Sequence, residues 1–359
     1  MSKKRSGVTI ADVAKHCGVG VMTVSRVING GNLVSAQTAE RVRSAIKKLG
    51  YQPNEAARIL KGSISRTIGL ILPDLSDTFF SVCAHAVQQF AAKRGYTTVL
   101  LASERDATME VAELAMLKSR NIAGILIFPS SEACIPGLKS FSTNGTPVVM
   151  IDRTYAGVDA GQVVVDNRGG AEKAVSHLIQ HGHNNIWCVG YDKKYNSISE
   201  RIACYEAVLR QAGLTPKFVV VDEADQIAPS LIPQIQSSEL PIAIFALNNV
   251  TSLCVLQILR QRGIRVPREV AVVGFDDFEF ASLLSVPLTA IRQPAEELGR
   301  SGTRLLFEMI GASVRTQEPA RIVLPTELVV RNSCGCQVIP HQVADRIGIL
   351  EATGQGAGI

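Results

Sequence analysis

The 359-residue chain has no stretch of about 18 uninterrupted apolar residues, so no membrane-spanning segment is expected. Its first residues, MSKKRSG, lead into an amphipathic segment without an apolar h-region. A secretory signal is therefore not expected, and the cytoplasm is the expected location. No G-x-G-x-x-G follows the first apolar run and no Walker A sequence occurs, so a nucleotide-binding fold is not supported. There is no G-x-S-x-G and no recognisable Ser, His and Asp pattern, so no catalytic residue is assigned and an enzyme is not expected. Cysteines at positions 17, 83, 134, 188, 204, 254, 334 and 336 make neither a disulfide framework nor a paired C-x-x-C metal site. Cys334 and Cys336 form a lone C-x-C, read as reduced thiols or, alternatively, as a redox or metal sensor. No cofactor is implied.

What is present is unevenly distributed. Residues 1–66 hold 12 Lys and Arg against three Asp and Glu, whereas the rest holds 25 against 29. A small basic head on a mildly acidic body fits a nucleic-acid-binding module joined to a sensor. Hydrophobic residues make up 46% of the chain, enough for a large core. The length suggests two or three units.

In the head, Ile10, Val13 and Ala14 recur at helical spacing, and Gly18 ends that helix. Val19 can staple the turn into the core. A second helix over about 21–28 buries Val24 and Val27 and shows Val21, Met22, Ser25 and Arg26 on its other face. Two helices around a Gly-containing turn, the second with a polar face, describe a helix-turn-helix that enters a major groove. Ser35 can cap a third helix carrying Ala39, Val42, Ala45, Ile46 and Leu49, which Gly50 ends. The segment PNEAARILKGS follows. It is either a linker or a short helix from Pro53 to Gly62, whose Ala56, Ala57 and Leu60 would let two copies pair and press leucines into a minor groove.

From Thr67 onward, apolar runs of four to six residues alternate with helical stretches. The runs lie at 67–73, 97–102, 123–129, 147–152, 163–166, 185–190, 218–222, 242–247, 270–276 and 288–293. The helical stretches between them lie at 79–94, 108–120, 169–181, 199–212, 250–262 and 294–311. This pattern predicts parallel sheets covered on both faces, two of them for so many strands. Ligands of such sheets sit at the carboxyl ends of strands. Asp74, Asp77, Phe79 and Phe80 fall at those ends, as do Asp152, Arg153, Asp166, Asn167, Asn248, Asn249, Asp276 and Asp277. Acids, amides, an arginine and aromatic faces suit a polyhydroxylated ligand.

The head resembles that of the LacI/GalR family of bacterial transcription regulators. The resemblance rests on TIADVAKHCGVGVMTVSRVING and VSAQTAERVRSAIKKLGYQPNEAARILKG, which carry the D-V-A, T-V-S-R and Y-x-P-N-x-x-A motifs. In the body, DLSDTFF, MIDRT, HLIQHGHNNIWCVG, SERIACYEAVLRQAGL, RVPREVAVVGFDD, PLTAIRQP and ELVVRNSC follow in family order, so about 8–336 is covered. The resemblance implies a small all-α helix-turn-helix head at 1–52, a hinge helix and linker at 53–66, and an α/β body at 67–337. A disordered tail is expected over 338–359. The body is expected to be two doubly wound parallel-sheet lobes of the type I periplasmic-binding-protein kind, one of 67–181 with 291–320, the other of 182–290 with 321–337. An effector would lie between them.

The resemblance also assigns roles. Val21, Met22 and Arg26 would read bases, while Thr9, Thr23, Ser25 and Asn29 would position phosphates. Asn54, Ala57 and Leu60 would meet DNA at the hinge, Leu60 as the wedge. Arg26 can fork to guanine, but Val21 and Met22 can only touch thymine methyls, so readout leans on Arg26, shape and the kink. The effector contacts carried over are Asp77, Phe79, Phe80, Asp152, Arg153, Arg201, Asn248, Asn249 and Asp276. Many relatives have Asp where this chain has Asn249. That loss of an acceptor and of negative charge, beside Arg153 and Arg201, favours an anionic sugar or sugar acid. His177, His181 and His183 are structural in the family, so no metal site is expected.

The expectation is thus a sequence-specific repressor of carbohydrate-related genes, allosterically controlled by a sugar, a sugar acid such as gluconate, or a sugar phosphate. Its partners would be palindromic operator DNA and a second copy of the chain, met through the helix after Phe79 and the region 283–286. The tail lacks leucine heptads, which argues against a coiled-coil tetramer. The alternative is a solute-binding protein of a sugar transporter, which would share the body but not the basic head.

Overall fold

The computed structural model describes residues 8–28, 34–51, 65–312 and 320–336. Asn29, the hinge segment with Asn54, Ala57 and Leu60, and the tail 338–359 lie outside the described residues. Internal contacts divide the chain into Met1–Ser65 and Arg66–Ile359.

The head contains α1 (Ile10–Cys17), α2 (Val21–Ile28) and α3 (Ala36–Leu49). Thr9 caps α1 through a reciprocal box: its hydroxyl accepts from the Asp12 amide, and the Asp12 carboxylate accepts from the Thr9 amide at 2.8 Å. This satisfies two of the orphan amides at a helix start. Those bonds from Thr9 hold the Asp12 carboxyl below its ordinary range. Gly18, at φ 61°, closes α1 in the left-handed conformation that only glycine adopts freely. Ser35 caps α3, and Gly50 ends it. Val13, Ala14, Cys17, Val24, Val27, Val42 and Ala45 form the core, with Val19 and Tyr51 against its rim.

The body holds two six-stranded sheets. The first uses β1 (Thr67–Leu72), β2 (Thr97–Ala102), β3 (Gly124–Ile127), β4 (Val148–Ile151), β5 (Gly161–Val165) and β11 (Arg321–Leu324), in the order 2-1-3-4-5-11, all parallel. The second uses β6 (Ile186–Tyr191), β7 (Lys217–Val221), β8 (Ile242–Ala246), β9 (Val270–Phe275), β10 (Thr289–Arg292) and β12 (Glu327–Val329), in the order 7-6-8-9-10-12. Only β12 runs antiparallel, against β10. The two orders are the same apart from the sixth strand, so each lobe is a doubly wound sheet with its ligand side at the strand carboxyl ends.

Helices cover both faces of each sheet. In the first lobe, α4 (Thr78–Ala92) and α11 (Ala295–Gly311) bury Phe80, Cys83, Val87, Leu298, Leu305 and Leu306 against β1, β3, β4 and β5. The two helices approach closely at Gly299, where an added Cβ would sit 2.3 Å from the Cys83 carbonyl oxygen. On the other face, α5 (Ala107–Ser119) and α6 (Ile135–Thr143) bury Leu114, Leu117, Leu138 and Phe141. In the second lobe, α7 (Asn167–Gln180) and α8 (Asn196–Gln211) cover one face with Val175, Leu178, Tyr205 and Leu209. There, α9 (Ile227–Ser237) and α10 (Asn249–Gln261) cover the other with Leu231, Ile235, Val255 and Leu259. Each such fully buried aliphatic side chain contributes roughly 1.5–3 kcal/mol. No described helix is long and apolar enough to cross a membrane.

The structure corrects the expected lobe boundaries. Helix α7 belongs to the second lobe, because Ala171, Ala174, Val175 and Leu178 pack into that core; the first crossing therefore falls at Asp166, directly after β5. Strand β10 lies wholly in the second sheet, so the chain returns to the first lobe after Arg292, within the stretch from Gln293 to α11. β11 pairs with β5 in the first lobe, so the last crossing falls between Leu324 and Glu327. Four elements are not foreseen from the sequence pattern. Helices α6 and α9 are short, and α9 carries an internal Pro233. Strands β11 and β12 have four and three residues and only half-buried faces.

Candidate functional site

In the head, α2 presents Val21, Met22 and Arg26 to the surface, with Met22 69% and Val21 42% exposed. Thr23 and Ser25 are half-buried beside them. Large exposed apolar side chains on a short helix contribute nothing to the small core beneath, so this face is free to meet another surface. Thr9, also expected to face DNA, spends its hydroxyl on the capping box; it donates to Asp12 at 2.7 Å.

In the body, all nine residues expected to meet an effector line one cleft at the carboxyl ends of the strands. Asp77 follows β1 and caps α4, accepting from the Phe79 amide at 3.0 Å. Phe79, Phe80 and Phe128 form an edge-to-face cluster behind it. Asp152 and Arg153 follow β4, Asn248 and Asn249 follow β8, and Asp276 follows β9. Arg201 rises from α8. Arg105, Tyr191, Asp192, Tyr195, Ser197, Ile198 and Gln293 complete the lining. Arg105, Tyr191, Asp192 and Gln293 stand at or just beyond the ends of β2, β6 and β10, so the same end-of-strand rule finds them when applied to every strand. Tyr195, Ser197 and Ile198 carry no such signal.

The backbone around the cleft is unusual. Arg105, Asp152, Asp192 and Asp276 have φ of 61°, 65°, 61° and 72°. A left-handed conformation costs a non-glycine residue about 1–3 kcal/mol, and such strain collects at functional sites. Four of the six described non-glycine residues of this kind face one cleft.

Arg201 forms the floor. Its Nε donates to Asn167 Oδ1 at 3.0 Å, its Nη1 donates to the Leu247 carbonyl at 2.7 Å, and its guanidinium lies 3.5 Å over Phe275. Asp276 stands 3.6 Å from it and accepts from Gln293 Nε2. Burial pulls the Arg201 pKa down and pushes Asp276 up to about 6, even with the two facing each other. Burial likewise raises Asp152.

Arg153 differs. It lies 3.6 Å over the Tyr195 ring and 3.5 Å from Asp152, but its Nε and Nη1 make no hydrogen bond. Asp152 Oδ1 and Gln293 Oε1, in the same cleft, also make none. Two donors and two acceptors among the cleft residues thus lack a hydrogen-bond partner within the protein. Contacts that bridge the lobes include Asn249 Nδ2 donating to Asp77 Oδ1 at 3.0 Å, the Thr154 amide donating to Asn196 Oδ1 at 3.2 Å, Asn196 Nδ2 donating to Thr154 Oγ1 at 3.4 Å, and Arg153 stacked on Tyr195. About 40 Å³ of the cleft is open to the centres of water-sized spheres, within about 460 Å³ of empty space that includes open solvent.

Other polar residues at strand ends serve the fold. Asp74 is held in its own loop by the Ser76 amide and hydroxyl, Asp166 caps α7, and Asn167 supports Arg201. Asp277 sits beyond the cleft, paired with Arg292 and Arg331.

A helix-turn-helix unit and a two-lobed body with a strained, charged cleft define a DNA-binding regulator built on a binding-protein scaffold. Comparison with known proteins agrees. Residues 9–54 match the model of bacterial regulatory proteins of the lacI family, and residues 175–334 match the periplasmic binding protein-like domain. The chain is 32% identical over 337 residues to the HTH-type transcriptional regulator DegA of Bacillus subtilis, covering 90% of this chain and 97% of that one. It is 32% identical over 334 residues to the HTH-type transcriptional repressor PurR of Haemophilus influenzae, covering 90% and 98%. Among solved structures, a Lac repressor dimer bound to operator and the anti-inducer ONPF matches with a TM-score of 0.80 at 26% identity, covering 92% of this chain and 99% of that one. A complex of the transcriptional regulator CelR with cellobiose matches with a TM-score of 0.66 at 32% identity, covering 91% and 99%. The chain belongs to the LacI family and is a DNA-binding transcriptional repressor of that family. A solute-binding protein of a transporter would leave residues 9–54 without a purpose.

Proposed function

We propose that this repressor is governed by a polyhydroxylated small molecule, a sugar or a sugar acid such as gluconate, bound between the lobes. The observation that carries the reading is the unsatisfied set in the cleft: Arg153 Nε and Nη1, Asp152 Oδ1 and Gln293 Oε1. Hydroxyl groups both donate and accept, so a polyol can satisfy all four atoms, whereas an apolar ligand would strand them. Four aspartates and three arginines line the cleft, a balance that disfavours a doubly charged phosphate. One carboxylate on the ligand would match the free edge of Arg153. Phe79, Phe80 and Tyr195 would cover C–H faces.

A ligand seated between the lobes would interrupt the contacts that now join them. Parting the lobes breaks the Asn249–Asp77 and Thr154–Asn196 contacts and turns about the three crossings. The ligand shifts the balance of states only by the difference in its affinity for them. In the head, Arg26 with Val21 and Met22 would read one half-site, Thr9, Thr23, Ser25 and Asn29 would hold phosphates, and Asn54, Ala57 and Leu60 would work at the hinge. Two copies would serve a palindromic operator in the cytoplasm. Val82 on α4, with Phe280 at 58% and Leu283 at 77% exposure, offers apolar surface for such a dimer.

A thermal-shift screen of neutral sugars, sugar acids and sugar phosphates tests the reading, because a ligand of the folded state raises its melting temperature. The expected result is a shift with a neutral sugar or a sugar acid that disappears in Arg153→Ala and changes operator affinity in a gel shift. A response confined to sugar phosphates, or one that survives in Arg153→Ala, would overturn it.

A further inference from the structure

Away from the cleft, the far end of α7 meets the segment that follows β12. His177 and His181 are one helical turn apart there, and the Cys334-Gly335-Cys336 turn lies against them. His177 Nε2 is 3.1 Å from Cys336 Sγ, and Cys336 Sγ is 3.1 Å from Cys334 Sγ. Donor atoms of His177, His181 and Cys336 all lie within 4.8 Å of one another. Neither the operator-binding nor the effector-binding reading uses these groups.

The surroundings orient them as ligands. The Nδ1 of His181 is 2.8 Å from the His177 carbonyl oxygen. A carbonyl can only accept, so that nitrogen carries the proton and Nε2 keeps its lone pair. A ligating histidine with its other N–H on a backbone carbonyl is the usual support for a metal site. Cys334 Sγ accepts from the Thr289 hydroxyl at 3.2 Å and lies 3.4 Å from the Arg331 carbonyl oxygen. His183 Nε2 donates to the Cys334 carbonyl at 3.2 Å and fixes the turn. Gly335 has φ 87°, which a side chain would strain.

We propose that His177, His181 and Cys336, joined by Cys334 as its Sγ moves in from its 3.1 Å contact with Cys336, form a site for one thiophilic divalent ion of the zinc class. Two sulfurs and two imidazole nitrogens suit a tetrahedral closed site, with metal–sulfur distances of about 2.3 Å and metal–nitrogen distances of about 2.0 Å. Those bonds place neighbouring ligand atoms roughly 3.6–3.8 Å apart, so the present 3.1 Å contacts widen by about half an ångström as the ion replaces hydrogen bonds. Bound there, the ion ties the end of α7 to the segment after β12 within the second lobe.

The test uses the full chain, kept reduced, titrated with Zn2+ and separately with Co2+, whose visible absorption reports tetrahedral thiolate coordination. One equivalent of either ion should bind, with the cobalt spectrum of a thiolate site. Cys336→Ser should weaken binding at least 100-fold, and His181→Asn, at an exposed position that leaves the core intact, at least tenfold. Operator affinity without effector serves as the folding control for both variants. No saturable binding at one equivalent, a cobalt spectrum without thiolate character, or equal affinity in the two well-folded variants would overturn the proposal.

Discussion

The two lobes share a strand order and differ in how they hold charge. The second lobe neutralises its arginine internally: Arg201 is spent on Asn167, the Leu247 carbonyl, Phe275 and Asp276. The first lobe leaves its arginine open, since Arg153 rests on Tyr195 of the other lobe with two donors unsatisfied. One topology therefore supplies a rigid floor on one side and a reactive edge on the other. A buried charge that is fully bonded organises structure, while one that is partly bonded awaits a partner.

The largest effect expected from breaking this contrast is that of Arg201→Ala. Removing one member of a buried charged network costs about 3–5 kcal/mol, because Asp276 and Asn167 are left without their partner. Urea unfolding of the body should show that loss, and the effector response should vanish. A loss below about 1 kcal/mol would mean that the floor is not organised around Arg201.

Next is the pH dependence of Asp276. Burial raises its folded pKa from 3.8 to about 6, so the folded state holds that proton more tightly than the unfolded chain does. The associated stability is full below about pH 4 and is lost as the pH rises through 6. Comparing wild type with Asp276→Asn between pH 4 and 8 should reveal a swing of about 2 kcal/mol, with the wild type losing ground as the pH rises. Parallel pH profiles would show Asp276 to be ordinarily acidic.

Asn249→Asp should have a smaller effect. It replaces the bond to Asp77 with two facing carboxylates and should cost about 1 kcal/mol at neutral pH. It should also favour parted lobes, read as faster cleft opening in hydrogen exchange, and the effect should fade below pH 4. An effect on stability of about 1 kcal/mol, well below that of Arg201→Ala, is expected from Arg153→Ala, because its Nε and Nη1 make no hydrogen bond although the side chain stacks on Tyr195 and pairs with Asp152. That variant sharpens the comparison when set beside Arg201→Ala: both should lose effector binding, and only one should lose much stability.

Much of the site is legible in the amino-acid sequence. The rule that ligands meet the carboxyl ends of parallel strands, together with the family resemblance, selects nine residues that share one cleft. The lobe boundaries are less legible. Helix α7 follows directly on β5 of the first sheet, and nothing in HLIQHGH says that its apolar face turns toward Phe245 and Val273 of the second. Strands β11 and β12 are too short to stand out, although their pairing with different sheets sets the last crossing. Sequence reasoning carries over Arg153 and Arg201 alike as effector contacts. The structure places the open donors on Arg153, because a hydrogen bond from Arg201 to a carbonyl 46 residues away leaves no periodic trace.

The sequence alone specifies the elements of the head, the cap at Ser35, the alternation of strand and helix, and the family. These follow from local spacing and from side chains acting on their own backbone, which neighbours in the chain suffice to set. Tertiary packing settles where the chain changes lobes, which arginine remains unsatisfied, and that His177 meets Cys336 across 159 residues of sequence. Such facts depend on which buried faces come together, and packing joins positions that no local pattern connects.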